Sequence, residues 1–263
     1  MSMTTRMPVL FVGHGSPMNA IEDNVWSRGF KELALTLPEP RAIVAISAHW
    51  YVDGTCATDN DRPETLHDFG GFPEALYRVQ YPAPGDPALA KSLVDLLSRS
   101  KRASLRSDWG LDHGTWSVLV HLRPAADRPV VQLSIDGRSP PFTHLEIGRA
   151  LAPLRDNGVL ILASGNIVHN LRHALSNTGS GDTATPDWAT RFDTDVASAI
   201  SKRDAAFLAR ALDSTTGQRA HPSPDHYLPL LYAVGASDER DAVSYPITGF
   251  DLGSLSMRTV RWG

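Results

Sequence analysis

Cysteine is almost missing from this chain: Cys56 is the only one in 263 residues. No intrachain disulfide can form, and thiolate-rich zinc sites and iron–sulfur clusters are excluded within one chain. Long apolar runs are missing as well. None approaches the roughly 20 residues that a membrane-spanning helix needs. Residues 8–12 are too brief for a signal-peptide core behind the short polar stretch 1–6. The expectation is a protein without membrane segments, with the cytoplasm as its address. No Lys/Arg-rich run of the kind that tracks phosphates or anionic membranes occurs either. With 25 Lys and Arg against 29 Asp and Glu and a net charge of −4, neither nucleic acid nor a membrane surface is an expected partner.

Several catalytic signatures are also absent. There is no G-x-S-x-G elbow, so the common serine hydrolase turn is missing. No Walker loop and no G-x-G-x-x-G fingerprint appear, since Gly13-His14-Gly15 lacks a third glycine at the required spacing. Cys56 lies in a strand-like segment, a poor setting for a reactive thiol.

What is present reads as an ordinary globular chain, 42% hydrophobic and 21% charged, with enough apolar surface for a sizeable core. Short apolar runs rich in β-branched residues predict buried strands at 9–12, 42–47, 130–135 and 159–163. Later strands are expected at 242–247 and 255–260. Between them, helical spacing marks 87–97, 142–154, 187–200 and 204–212. In the first of these, Leu89, Leu93, Leu96 and Leu97 share a face behind the N-cap candidate Asp86. Alternating strands and helices predict a single α/β domain over 1–263, with a central mostly parallel or mixed sheet flanked by helices. The Gly/Ser/Thr-rich stretch 177–186 reads as a loop. The stretch 58–81 is long for a simple connection and holds Pro63, Gly70, Gly71, Pro73 and several aromatics. Such loops are usually functional, and this one is a candidate lid.

Ten histidines are present, and their placement carries the chemistry. His14 lies just past the first expected strand, His49 just past the second, and His169 follows the strand 159–163. In open α/β sheets the crevice at the carboxyl ends of the strands is the usual ligand site. Three strands therefore aim a histidine at one rim. Gly13, Gly15 and Gly165 surround these residues and permit positive φ or close backbone approach; tight strand-to-helix turns alone would account for any single one. His226 comes late, behind Pro222, Pro224 and Asp225, at the expected start of a helix. Asp225 could cap that helix or orient a ligand. His113 sits at a similar loop-to-helix junction. Neutral imidazoles on a rigid scaffold suit Fe(II) or Zn²⁺, so one metal centre built from scattered histidines is the expected chemistry. Spacing alone does not separate ligand from base.

The other histidines have blander readings. His67 belongs to the aromatic loop and reads equally as pocket or surface. His121, His144 and His173 fall in expected helices, facing solvent or capping. His169 and His173 are spaced i, i+4, but without the adjacent Glu of a zincin peptidase. His221 is the nearest competitor to His226.

Gly13-His14-Gly15-Ser16-Pro17-Met18, Ser47-Ala48-His49-Trp50, His67-Asp68-Phe69-Gly70-Gly71-Phe72-Pro73 and Asp112-His113-Gly114-Thr115-Trp116 form an ordered set of motifs. Ala163-Ser164-Gly165-Asn166, Val168-His169-Asn170-Leu171 and Pro224-Asp225-His226-Tyr227-Leu228-Pro229 continue it. Taken over nearly the whole chain, they resemble the DOPA-dioxygenase-type branch of the class III (LigB-like) extradiol ring-cleavage dioxygenases. The resemblance implies one divalent metal per chain, Fe(II) for turnover, held by His14, His49 and His226. It implies His169 as the acid–base residue, its ordinary pKa near 6.5 suiting both directions. His113 and Tyr227 would contact substrate, with the Trp50 region in the lining. The partners implied are a catechol and O₂, and the product a muconate semialdehyde type such as 4,5-seco-DOPA. A related branch uses a carboxylate as third ligand where this chain presents His226. A three-His site with open positions is also a zinc arrangement, so Zn²⁺ is a second occupant to consider. The rival readings are a zinc hydrolase or lyase on the same histidines, and a non-catalytic binding protein of the same fold.

Overall fold

Four parallel strands, apolar on both faces, make the centre of the molecule. The computed structural model describes residues 6–98, 103–180 and 184–263. Its strands are β1 (Val9–Gly13), β2 (Ala42–Val52), β3 (Thr55–Thr58), β4 (Ala103–Arg106), β5 (Val130–Asp136), β6 (Val159–Gly165), β7 (Val243–Ile247), β8 (Phe250–Asp251), β9 (Leu255–Ser256) and β10 (Thr259–Trp262). The helices are α1 (Val25–Thr36), α2 (Glu74–Tyr77), α3 (Pro87–Leu97), α4 (His113–Leu122), α5 (Pro141–Leu151), α6 (Leu171–Ser180), α7 (Asp187–Ser201), α8 (Ala205–Arg210), α9 (Thr215–Ala220) and α10 (Leu228–Ala236).

Eight strands form one sheet in the order β4-β3-β5-β2-β6-β1-β10-β7. The central run β5-β2-β6-β1 is parallel. β3 joins β5 and β10 joins β1 antiparallel, so the sheet is mixed, as expected. Strands buried on both faces read as continuous apolar runs, and that is why these four were visible in the sequence. Along β1, Val9 and Phe11 enter one core, shared with buried residues of α5, α7 and α10. Leu10 and Val12 enter the other, with Phe30 and Leu33 of α1 and Trp116 and Leu119 of α4. The α/β layering follows from that alternation.

The expected helices are found with small shifts. Asp86 caps α3 by accepting from the Leu89 N–H at 2.9 Å, and Leu89, Leu93 and Leu97 are buried. The stretch 142–154 divides into α5 and a 3₁₀ turn at Ala152–Asn157, and 204–212 divides into α8 and a 3₁₀ turn at Ala211–Asp213. Of the loop expected at 177–186, residues 177–180 belong to α6 and 181–183 lie outside the described residues.

Two expectations need correction. The single strand 255–260 is broken into β9, which pairs with β8, and β10, in the main sheet. The cause is the demand on Ser256: its N–H donates to Val168 O and its carbonyl accepts from Asn166 Nδ2, both 2.9 Å. Those bonds tie it to the loop after β6 instead of to the sheet. Second, His49 does not follow β2 but lies within it. β2 advances from Ile46 to Tyr51 while β5 advances only from Leu133 to Ile135. The extra residues form a bulge that carries His49, a common way to re-aim a side chain beside an active site.

Candidate metal centre

The carboxyl ends of β1, β2 and β6 bring the histidines together. His14 follows Gly13 at the end of β1, and its N–H donates to Gly165 O of β6 at 3.1 Å. His49 projects from the β2 bulge. His113 is the first residue of α4, capped by Asp112, whose carboxylate accepts from Thr115 N–H at 3.2 Å. His169 follows β6. His226 stands two residues before α10, in a turn rather than a helix. Its carbonyl accepts from Asn166 N–H at 2.9 Å, which fastens the turn to the end of β6.

Two glycines are required by this geometry. Gly15 has φ +61°, a left-handed conformation. Gly165 has no room for a side chain: a Cβ there would lie 2.2 Å from His226 O. Gly165→Ala is therefore expected to push the His226 turn off β6, at a cost of roughly 1–3 kcal/mol, and to weaken metal retention as well. Thermal melts of metal-free protein and metal analysis check both. An unchanged melting temperature with full metal content would refute the close approach.

Hydrogen bonds decide which imidazole nitrogens are free. Ser164 Oγ gives its one hydrogen to Gly114 O at 2.5 Å, so at 2.9 Å it accepts from His14 Nδ1–H. His226 Nδ1–H donates to Asp225 Oδ2 at 2.6 Å, and His113 Nδ1–H to Asp68 Oδ2 at 3.0 Å. Each ring keeps Nε2 as a lone pair. Burial, and then the neighbouring imidazoles, holds His14 and His226 well below the ordinary histidine pKa. His49 is lowered to about 3 by burial and by His113, against an opposing pull from Asp68. His169 is lowered to about 4, chiefly by burial, so the ordinary value near 6.5 does not carry over to it. These four imidazoles are neutral donors at neutral pH.

A metal fits this donor set. His14 Nε2 and His49 Nε2 stand 3.2 Å apart, near enough to share one cation or, without it, one proton. Metal–imidazole bonds of ~2.0–2.1 Å place two such nitrogens roughly 3.0–3.4 Å apart, and their ring centroids about 4.5–5.3 Å apart. The His14–His49, His14–His226 and His49–His226 centroids are 5.1, 5.3 and 4.9 Å apart, nearly an equilateral triangle. Among the described residues, the group whose ligand atoms all lie within 4.8 Å of one another is His14, His49 and His113. In that set, however, the His49–His113 centroids are 3.8 Å apart and the His14–His113 centroids 5.9 Å. Those rings are too close and too far, respectively, to share one metal without moving. His169 lies flat on His226, centroids 3.5 Å apart and planes 2° apart.

The histidines open into a cavity of about 320 Å³, whose apolar lining includes Phe69, Phe72, Leu171, Leu175, Leu252 and Leu255. Sequence reasoning missed most of this lining; the only signal was the aromatic richness of 58–81. That loop is stitched down. Leu66 N–H donates to Leu111 O, Leu111 N–H to Glu64 O and Trp116 Nε1–H to Leu66 O, each at 2.8 Å. In this structure it forms one wall of the cavity, with Phe69 and Phe72 in the lining.

Other expected contacts lie elsewhere. Tyr227 is 1% exposed and its hydroxyl donates to Leu208 O, so it belongs to the core and does not line the cavity. Trp50 is buried against Trp109, their rings 5.6 Å apart. His144, expected at the surface, is buried on Tyr232, and His221 is buried with Nε2–H donating to Ile167 O at 2.7 Å. Burial lowers both to about 4. His67 packs half-buried among Phe69, Tyr77 and Trp116, His121 bonds Asn19 O at 2.7 Å, and His173 sits edge-on to Trp188.

A mixed α/β sheet with a histidine cluster at its strand ends is an arrangement that could hold a metal ion, and comparison gives the family. Residues 8–251 match the catalytic LigB subunit of aromatic ring-opening dioxygenase, and the chain belongs to that family. It is an enzyme of the extradiol dioxygenase class, with a small-molecule substrate, O₂ and a single metal site. It is 48% identical over 263 residues to a 4,5-DOPA dioxygenase extradiol of Escherichia coli K12, covering 99% of this chain and 96% of the relative. A 4,5-DOPA dioxygenase extradiol of Beta vulgaris is 36% identical, covering 96% and 95%. Among solved structures, the crystal structure of an uncharacterized Escherichia coli K12 protein matches with a TM-score of 0.86 and 45% identity, covering 98% of this chain and all of that one. No described helix is long and apolar enough to cross a membrane.

Proposed function

We propose that the whole chain is one catalytic domain that opens the ring of a DOPA-like catechol with O₂, giving a muconate semialdehyde-type product such as 4,5-seco-DOPA. His14, His49 and His226 would hold the metal, with Fe(II) as the ion for turnover. The observation that carries the ligand set is the centroid triangle of 5.1, 5.3 and 4.9 Å. The carboxylate of Asp225 on His226 Nδ1 supports it, since ligating histidines usually donate their other N–H to such a partner. When bound, the metal supplies Lewis acidity toward the catechol oxygens and a place for O₂.

The chain's own residues do the rest. Phe69, Phe72 and the leucines of the cavity hold the aromatic ring and exclude water. His169, neutral and stacked against His226, takes a proton from a catechol hydroxyl and returns it as the ring opens. His113, also in the lining, contacts the substrate. No Lys or Arg is among the described lining residues, so a carboxylate fixed directly to the ring finds no partner. DOPA carries its charges two carbons away, where they reach solvent at the mouth.

Oxygen uptake by Fe(II)-reconstituted protein tests this against DOPA, caffeate and protocatechuate. DOPA is expected to exceed protocatechuate by at least about tenfold, on the cost of an unpaired charge. Turnover should vanish anaerobically. Turnover that persists without O₂ would favour the zinc hydrolase reading instead.

A further inference from the structure

Asp68 stands outside the triad, yet it holds one of the cavity histidines by two hydrogen bonds and lies beside a second. Its Oδ1 accepts from the backbone N–H of His113 at 2.8 Å, and its Oδ2 accepts from His113 Nδ1–H at 3.0 Å. The same Oδ2 lies 3.6 Å from Nδ1 of His49. Its side chain is 19% exposed, and the loop that carries it is fastened by the Leu66, Leu111 and Trp116 bonds. The next residue, Phe69, packs edge-on against His113, centroids 5.4 Å apart.

We infer that Asp68 is the positioning residue of this site: it fixes the His113 ring and keeps the His113 proton on Nδ1. His113 then presents Nε2 to the cavity as an acceptor for a catechol hydroxyl. A carboxylate is required because both of its oxygens accept. An isosteric amide can accept only one of the two His113 donors, and its NH₂ must face the other. The strain is relieved when His113 shifts its proton to Nε2, which turns the cavity-facing nitrogen into a donor. The inference rests on the reading above of His113 as substrate contact. It is tested by a measurement that needs neither metal nor turnover.

That measurement is ¹⁵N NMR of histidine-labelled, metal-free protein. His113, assigned by loss of its signals in His113→Gln, is expected as the Nδ1–H tautomer, and as Nε2–H in Asp68→Asn. In the Fe(II) enzyme, Asp68→Asn should retain metal and lose about 10–100-fold in kcat/KM, the range for such supporting partners. The loss should appear mainly in KM, because a contact to the catechol is made before and during reaction. Asp68→Glu should recover part of it. The double variant Asp68→Asn/His113→Gln should be no worse than His113→Gln alone. An Nε2–H tautomer in the unsubstituted protein would overturn the inference even if Asp68→Asn failed to fold. So would losses that multiply in the double variant, or a kcat/KM within twofold of the parent. Absence of any catechol cleavage in the parent, with the Nδ1–H tautomer intact, would instead count against the dioxygenase reading.

Discussion

Alanine at His14, His49 or His226 is expected to abolish metal retention and, with it, oxygen uptake. The three rings stand at nearly equal separations, and each commits Nδ1 to a neighbour or turns Nε2 toward the others. Removing a partner that only orients a metal-ligating histidine costs about 10–100-fold in affinity; removing the ligand should cost at least about 100-fold. Metal content after desalting, measured by elemental analysis, should fall below roughly one tenth of the parent's, on that same basis. Metal that binds only the folded state also raises the melting temperature, and that rise should vanish in all three variants while the metal-free melts persist. His113→Ala is the control, expected to keep metal. Full occupancy in any one of the three removes that residue from the ligand set. Loss in His113→Ala with retention in His226→Ala would transfer the third position to His113.

His169→Ala should behave in the opposite way, holding its metal while turnover falls by about 10²–10⁴-fold, the range for a positioned proton-transfer group. His169 lies flat on His226 at 3.5 Å and lines the cavity, but its ring is not part of the triangle. Burial keeps it neutral, so it enters the reaction as a base. The fall should appear in kcat as well as in kcat/KM, since proton transfer belongs to the transition state and not to substrate binding. Catechol cleavage at the parent rate would remove the acid–base role. Loss of metal would make His169 part of the ligand shell.

The central sheet was legible because parallel strands covered on both faces must be apolar throughout, as 42–47 and 159–163 are. β3 and β4 were not, being four residues each, with β4 largely exposed. The break at Met257 was invisible too. It depends on Ser256 bonding to Val168 and Asn166, some 90 residues away. The burial of His144 is not legible in the sequence, because helical position says nothing about which face a distant element covers. The resemblance implies Tyr227 as a substrate contact, yet adjacent side chains in a turn point apart, and its hydroxyl belongs to the carbonyl of Leu208.

The sequence by itself determined that thiolate sites are excluded, with one cysteine in the chain, and that strand ends would deliver His14 and His169 to one rim. Periodicity and composition are local properties, and those conclusions needed nothing more. Only the tertiary structure decided how the rings are brought together. The bulge that aims His49, the turn that holds His226 against Gly165 and the carboxylate that reaches His113 from Asp68 are contacts between residues far apart in the chain. Such contacts leave no spacing to read, because only folding sets the distances between their partners.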